Sequence, residues 1–255
     1  MAAFVDVNAD VGEIPFTDPR CQDEALLRVA TSANVACGLH AGGPSLMQDT
    51  VRAAREYGVA VGAHPGFDDR EGFGRREIRL SPREAEALVA YQVGALAAIA
   101  DTEGVRLRHV KPHGALYNMA ARDPALARAI AYAVKAVNPS LLLVGLSGSR
   151  LIEAGIDVGL GTVSEAFADR AYRADGSLVP RTEAEAVMHD DARVVARALD
   201  MVREQAVTAV DGACVPLRVE TLCLHGDTPG AAHLARRLRD ALAAAGVEVR
   251  APQGS

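Results

Sequence analysis

Along this chain, short apolar and β-branched runs alternate with longer stretches whose apolar positions recur every three or four residues. The short runs, at residues 4–8, 34–37, 59–63, 107–111, 141–146, 162–166, 221–224 and 247–250, read as strands. Between most of them lie helices with explicit start signals. Ser81-Pro82-Arg83-Glu84 combines a capping box with proline at the first helical position, and Asp123-Pro124 and Thr228-Pro229 repeat the cap-then-proline start. The helix predicted over 81–103 carries Leu88, Gln92, Ala95, Leu96 and Ile99 on one stripe. Three helices end on a glycine followed at once by valine, at Gly58, Gly104 and Gly246. A left-handed glycine leading straight into a strand is a short helix-to-strand turn.

These repeated strand–helix units predict a largely parallel sheet. Seven or eight units in 255 residues suit an irregular, TIM-like β/α barrel better than an open doubly wound sheet, although periodicity alone does not show closure. No linker or composition break divides the chain, so a single barrel domain over 1–255 is expected. Residues 169–189 form the longest irregular stretch, and 208–218 read as a small hairpin or insertion.

Composition narrows the function classes. The chain is 49% hydrophobic and 24% charged with a net charge of −6, and it has no long basic run or aromatic–basic interleaving, which argues against a nucleic acid partner. No apolar stretch approaches the roughly 18 residues of a membrane span, and the N-terminus does not read as a signal peptide. The four cysteines, Cys21, Cys37, Cys214 and Cys223, form no Cys-x-x-Cys pair; reduced thiols in a cytoplasmic protein are expected, with Cys37 and Cys223 as small core residues. Nucleotide-binding glycine motifs are missing, and the segment from Leu146 to Leu151 is only a weak anion signal.

Candidate chemistry begins with lysine usage. Only two of the 27 cationic side chains are lysines, and one, Lys111, stands between His109 and His113. In an extended strand these three share a face, which is costly if they serve only packing. Polar clusters follow each of six predicted strands: Asn8, Asp10 and Glu13; His40; His64; Lys111 and His113; Asp169 and Arg170; His225 and Asp227. The C-terminal rim of a parallel α/β fold is where active sites assemble. Four histidines at equivalent rim positions fit either a divalent metal or metal-free acid–base chemistry, and their spacing does not decide between them. His109, mid-strand, suits a buried structural histidine as well as a functional one; His189 and His233 read as surface residues. The glycine-rich stretch Gly72-Phe73-Gly74-Arg75-Arg76 reads slightly better as a plain surface turn than as a loop over the pocket.

Eight collinear segments carry a resemblance. Asp6-Val-Asn-Ala-Asp-Val-Gly-Glu13, Ser32-Ala-Asn-Val-Ala-Cys-Gly-Leu-His-Ala-Gly42, Val61-Gly-Ala-His-Pro-Gly66, Gly72-Phe-Gly-Arg-Arg76, Val110-Lys-Pro-His-Gly-Ala-Leu-Tyr-Asn118, Phe167-Ala-Asp-Arg-Ala-Tyr172, Val179-Pro-Arg181 and Leu224-His-Gly-Asp-Thr-Pro229 resemble the LamB/YcsF family. Only the apolar positions Val7, Ala9 and Val11 depart from the usual pattern. The resemblance implies a barrel of the glycoside hydrolase/deacetylase kind and a part in the ATP-dependent opening of 5-oxo-L-proline to L-glutamate. The chain would act as the A subunit of a 5-oxoprolinase beside B and C subunits, which would bind ATP and activate the lactam. It implies Asp10, Glu13, Lys111, His113 and Asp227 as catalytic candidates. Asn8, His40, His64, Asn118, Asp169, Arg170 and His225 would bind substrate, and His40, His64 and His225 are candidates for any divalent metal. The rival expectations are a stand-alone metal-dependent deacetylase or amidohydrolase, and a non-catalytic ligand-binding subunit.

Overall fold

The structure is a computed structural model that describes residues 4–224 and 230–253. In chain order its elements are β1 (Phe4–Val11), α1 (Asp23–Leu27), β2 (Ser32–Ala36), α2 (Pro44–Glu56), β3 (Ala60–His64), α3 (Pro82–Thr102), β4 (His109–Val110), α4 (Gly114–Ala120), α5 (Pro124–Val137), β5 (Leu142–Leu146), α6 (Arg150–Asp157), β6 (Thr162–Ala166), α7 (Asp191–Glu204), β7 (Ala206–Thr208), β8 (Cys214–Pro216), β9 (Thr221–Leu224), α8 (Ala231–Ala244) and β10 (Glu248–Val249). Strands β1 to β6 run side by side and parallel, and β9 closes the ring by pairing with both β6 and β1. The barrel therefore closes on seven strands. The eighth predicted run, β10, pairs only with Phe4 and Val5, below the stretch of β1 that β9 occupies.

Two shifts of strand boundary bear on the site. β1 continues to Val11, so Asn8 and Asp10 belong to the strand and not to the loop after it. β4 shortens to His109–Val110, with Arg108 N donating to Val61 O and Lys111 N to Ala63 O at its ends. Pro112 has no N–H to continue the ladder.

Side-chain alternation assigns the two faces of the barrel wall. Asn8 of β1 bonds Glu165 of β6, and Asn34 of β2 bonds His109 of β4; these strands are not neighbours, so the contacts cross the lumen. The alternate residues Val5, Val7, Ala9 and Val11 are buried in the apolar core between the strands and the helices.

The helix signals hold where they can be read. Ser81 and Glu84 form the reciprocal capping box, and Asp123 caps α5 by accepting from Ala125 N and Leu126 N. Thr228-Pro229 lies outside the described residues. The buried face of α3 is Ala85, Val89, Gln92, Val93, Leu96 and Ala100, rotated from the expected stripe, so Leu88, Ala95 and Ile99 are only half-buried. Its alanines let α3 sit closely against its neighbour α5. The 169–189 stretch is irregular, pinned by isolated bridges from Arg170 to Val187 and from Tyr172 to Leu178. β7 and β8 make the expected hairpin, starting at Ala206. No described helix is long and apolar enough to cross a membrane.

Gly62 shows how tightly the lumen is filled. It pairs in register with both Asn34 and His109, and a β-carbon there would overlap the His109 imidazole. Gly62→Ala is expected to cost about 2–3 kcal/mol of stability through overpacking, read as a lowered urea midpoint. An unchanged midpoint would show that the His109 ring has room to move.

Candidate active site

The lumen is a connected polar network centred on Lys111, which is only 3% exposed. Its ammonium lies 2.8 Å from Glu165 Oε1, 3.0 Å from Asn8 Oδ1, 3.1 Å from Asp10 Oδ1 and 3.0 Å from Cys223 Sγ. Four acceptors thus surround a group with three protons. Burial pulls its pKa down, but Asp10, Cys223 and Glu165 outweigh burial and hold it well above the usual lysine value. Below this centre, the Asn8 amide nitrogen donates to Glu165 and, at 2.7 Å, to Thr221 Oγ1. The Thr221 hydroxyl in turn donates to Asp6, whose other oxygen accepts from Thr31 and Ser32. Burial pushes Asp6 up to about 6 despite those three donors. The Asn34 amide nitrogen donates to Asn8 and Asp10, and its oxygen accepts from His109 Nε2 at 2.8 Å. Burial, helped by the Lys111 charge, holds His109 at about 3.

At the C-terminal mouth, three histidines from the ends of three successive strands meet two carboxylates. His64, ending β3, donates from Nδ1 to the Lys111 carbonyl at 2.7 Å. His113 donates from Nε2 to the Phe73 carbonyl at 2.8 Å. The remaining nitrogens, His64 Nε2 and His113 Nδ1, face each other at 3.0 Å. Asp10 Oδ2 is 3.4 Å from the former and Glu13 Oε1 is 3.6 Å from the latter. His40 stacks flat on His113, with ring centroids 3.8 Å apart, and its Nε2 is 3.8 Å from Glu13 Oε1. Glu13 is positioned by the turn after β1, where Gly12 N donates to the buried Asp23 carboxylate at 2.6 Å. Burial, with the neighbouring His64, lowers His113 to about 3, and burial pushes His40 further down. Glu13 and Asp10 keep 11% and 10% of their side chains accessible, so the carboxylate side is open to solvent. Such a set of imidazole nitrogens and carboxylates can relay protons for water, and Glu13, His64 and His113 are close enough to share a metal ion.

The Gly72-to-Arg76 segment is not the plain surface turn that its sequence slightly favours. It lies over the histidines. The Phe73 ring stands edge-on to His113 and His40, at 5.3 and 6.0 Å. Gly74, in the left-handed region, leaves no space for a β-carbon between itself and His40 and the His113 ring. The buried Asp69 carboxylate fixes this strap by accepting from Gly72 N, Arg76 N and the Arg76 guanidinium. Gln92 of α3 grips both main-chain groups of Gly66 at 2.9–3.0 Å.

The structure therefore gathers Asn8, Asp10, Glu13, His40, His64, Lys111 and His113. Asn118 is exposed on α4, and no hydrogen bond ties it to the cluster. Arg170 is buried, but its guanidinium donates to the carbonyls of Val179 and Ala186, holding the irregular segment together; Asp169 is buried beside it. His225 and Asp227 lie outside the described residues. His109 is a lumen residue and does not join the mouth, while His189 and His233 are exposed. Cys223 is buried as expected, but its thiol is a partner of Lys111 and not an apolar filler. Burial raises its pKa well above the usual thiol value, with Lys111 opposing, so it stays protonated. Sequence reading passed over Asp6, Asn34, Glu165 and Phe73. The first three had a signal, a polar or acidic side chain within a run that reads as a strand.

The family model for the LamB/YcsF family matches residues 5–255. The chain belongs to the LamB/YcsF family. This LamB/YcsF protein is 54% identical over 254 residues to a Methylococcus capsulatus protein named as the A subunit of 5-oxoprolinase, covering 100% of this chain and 98% of that one. It is 55% identical over 249 residues to another of that name from Chloroflexus aurantiacus, covering 98% of each. Among solved structures, the lactam utilization protein from Thermus thermophilus superposes with a TM-score of 0.91 at 50% identity, covering 98% of this chain and 100% of that one.

Two outcomes follow for this LamB/YcsF protein. Lys111→Met leaves the buried Glu165 and Asp10 carboxylates without their cation and should cost about 3–5 kcal/mol, measured by thermal or urea unfolding. A loss below about 1 kcal/mol would show that the ammonium is not what holds them. The second concerns acid. His109 and His113 sit near 3 and His40 lower still, whereas an unfolded histidine titrates near 6.5. Their neutral burial contributes stability that is present above pH 6.5 and lost as pH falls towards 3. Asp6, raised to about 6, runs the opposite way between about pH 4 and 6, and Asp23, also raised, acts in the same sense. Three histidines against at most two carboxylates leave a net uptake of at least about one proton on unfolding, or at least about 1.4 kcal/mol lost per pH unit in that window. Urea midpoints that stay level from pH 6.5 to 4.5 would contradict this.

Proposed function

We propose that this chain works as the A subunit of a 5-oxoprolinase, taking part in the ATP-dependent opening of 5-oxo-L-proline to L-glutamate. Other subunits, B and C, would bind ATP and activate the ring. The observation that carries this reading is the 54–55% identity, over essentially the full chain, to two proteins that carry that name. The mouth of the barrel supplies chemistry of the right kind. Phosphorylation of the lactam oxygen on a partner would make the ring carbon electrophilic. Water then adds to that carbon, the carbon–nitrogen bond breaks as the leaving nitrogen takes a proton, and a second water releases the phosphoryl group from the resulting acyl phosphate to leave glutamate and inorganic phosphate. Glu13 and His113, at the solvent edge of the cluster, are placed to take the proton from water and return it to nitrogen. Asp10 is a further acid–base candidate, as is Asp227, which lies outside the described residues. Lys111 could in principle hold the substrate carboxylate, but its protons already face four acceptors inside the barrel. Its part in this reading is to keep Asp10 charged and in place. A divalent ion held by Glu13, His64 and His113 would take over the activation of that water from the two side chains. That donor set also suits an amidohydrolase acting alone.

The test is glutamate release from 5-oxoproline with ATP and the partner subunits, with and without this chain. Release should require the chain, and Glu13→Gln and His113→Ala should lower it by about 10²–10⁴-fold in protein that stays folded by circular dichroism. Release that is independent of this chain would overturn the reading. Turnover of simple amides without ATP would favour the amidohydrolase.

A further inference from the structure

The two inner histidines of the mouth have their tautomers fixed by main-chain oxygens. A carbonyl only accepts, so His64 carries its proton on Nδ1, facing Lys111 O, and His113 carries its proton on Nε2, facing Phe73 O. In the neutral rings, the nitrogens left facing each other at 3.0 Å are then both bare lone pairs. Two lone pairs at that separation, in rings only 1% and 5% exposed, repel unless something positive lies between them. The charges nearby ask for the same thing. Three carboxylates, Asp10, Glu13 and Glu165, lie against these histidines and Lys111.

We propose that His64 Nε2, His113 Nδ1 and a Glu13 carboxylate oxygen bind one divalent first-row transition ion at the barrel mouth, with Asp10 beside it. Two imidazoles and a carboxylate are ligands for zinc, cobalt, manganese or iron in preference to calcium or magnesium. Nitrogens about 2.1 Å from a tetrahedral zinc lie roughly 3.4 Å apart, so the histidines need to separate by only a few tenths of an ångström. The three donor atoms already lie within 4.8 Å of one another. Glu13 is the member that must swing inwards, and it is the one on the solvent side. The far nitrogen of each histidine is already bonded to a fixed acceptor, the support that orients metal-bound imidazole. His40 stacked on His113 and Phe73 edge-on to both restrict the rings further. Three protein ligands leave a position for water or substrate, as in catalytic sites.

The donor geometry stands apart from the reaction, so binding is measured on the isolated full-length chain. Chelator-treated protein is titrated with Zn²⁺ against a chromophoric indicator, and with Co²⁺ followed by its visible d–d absorption. The expected result is one ion per chain and a Co²⁺ spectrum of low-coordinate N/O type. Glu13→Gln and His113→Gln should each weaken binding at least 10-fold, while His189→Ala and His233→Ala, at exposed sites, should leave it unchanged. If His113→Gln fails to fold, Glu13→Gln at the solvent edge gives the same readout. Wild-type protein that takes up no stoichiometric ion would overturn the proposal, as would affinity unchanged in Glu13→Gln. If the ion binds but 5-oxoproline turnover does not need this chain, the metal site survives and the 5-oxoprolinase reading fails.

Discussion

One buried ammonium organises the inside of this barrel. Apolar side chains fill the lumen of many β/α barrels in layers. Here the lumen carries Asp6, Asn8, Asp10, Asn34, His109, Lys111, Glu165 and Thr221, and the apolar layer lies outside, between strands and helices. Such an interior is stable only when its polar groups satisfy one another. Lys111 makes that possible because it reaches two carboxylates, an amide oxygen and a thiol at once. Remove its charge and no other lumen cation stands against Glu165 and Asp10 among the described residues. The same residue also serves the mouth, because its carbonyl, not its side chain, sets the His64 ring.

Much of this was legible in the chain. Asp6-Val7-Asn8-Ala9-Asp10 alternates polar and apolar residues with period two, which is what a strand with a polar lumen face and an apolar outer face requires. The oddity of Lys111 between two histidines pointed to the centre of the network, and the strand-end rule brought Asp10, Glu13, His40, His64 and His113 to one place. The repeated glycine endings at Gly58, Gly104 and Gly246 are left-handed, as the helix-to-strand turn needs.

The rest was hidden for physical reasons. Closure at seven strands depends on which edge of β1 is occupied at each height, and β9 and β10 share that edge; no local pattern encodes the division. Glu165 sits in a strand run without a motif around it, so its link to Lys111 across the lumen appears only when β4 and β6 face each other. Asn118 belongs to a recognisable segment, but the turn of α4 carries it outward. His109 and His113 flank Lys111 at equal spacing, yet Pro112 ends the strand between them. One ring therefore points into the lumen beside Asn34, and the other reaches the mouth.

The strap around Phe73 was the hardest feature to anticipate, because its effect passes through the main chain. Its glycines and arginines suggest flexibility or a surface charge. Instead, Asp69 and Arg76 lock it, and its contribution to the site is a single carbonyl oxygen that decides which nitrogen of His113 keeps the proton. A substitution at Asp69 would alter no mouth side chain itself and still loosen the strap whose carbonyl fixes the tautomer. The chemistry of the mouth thus depends on two carbonyls, one set by the charge network below it and one by the strap above. Where both hold, His64 and His113 present bare nitrogens to the same point, and the pairing of acceptors that looks unfavourable in isolation becomes a site for a cation.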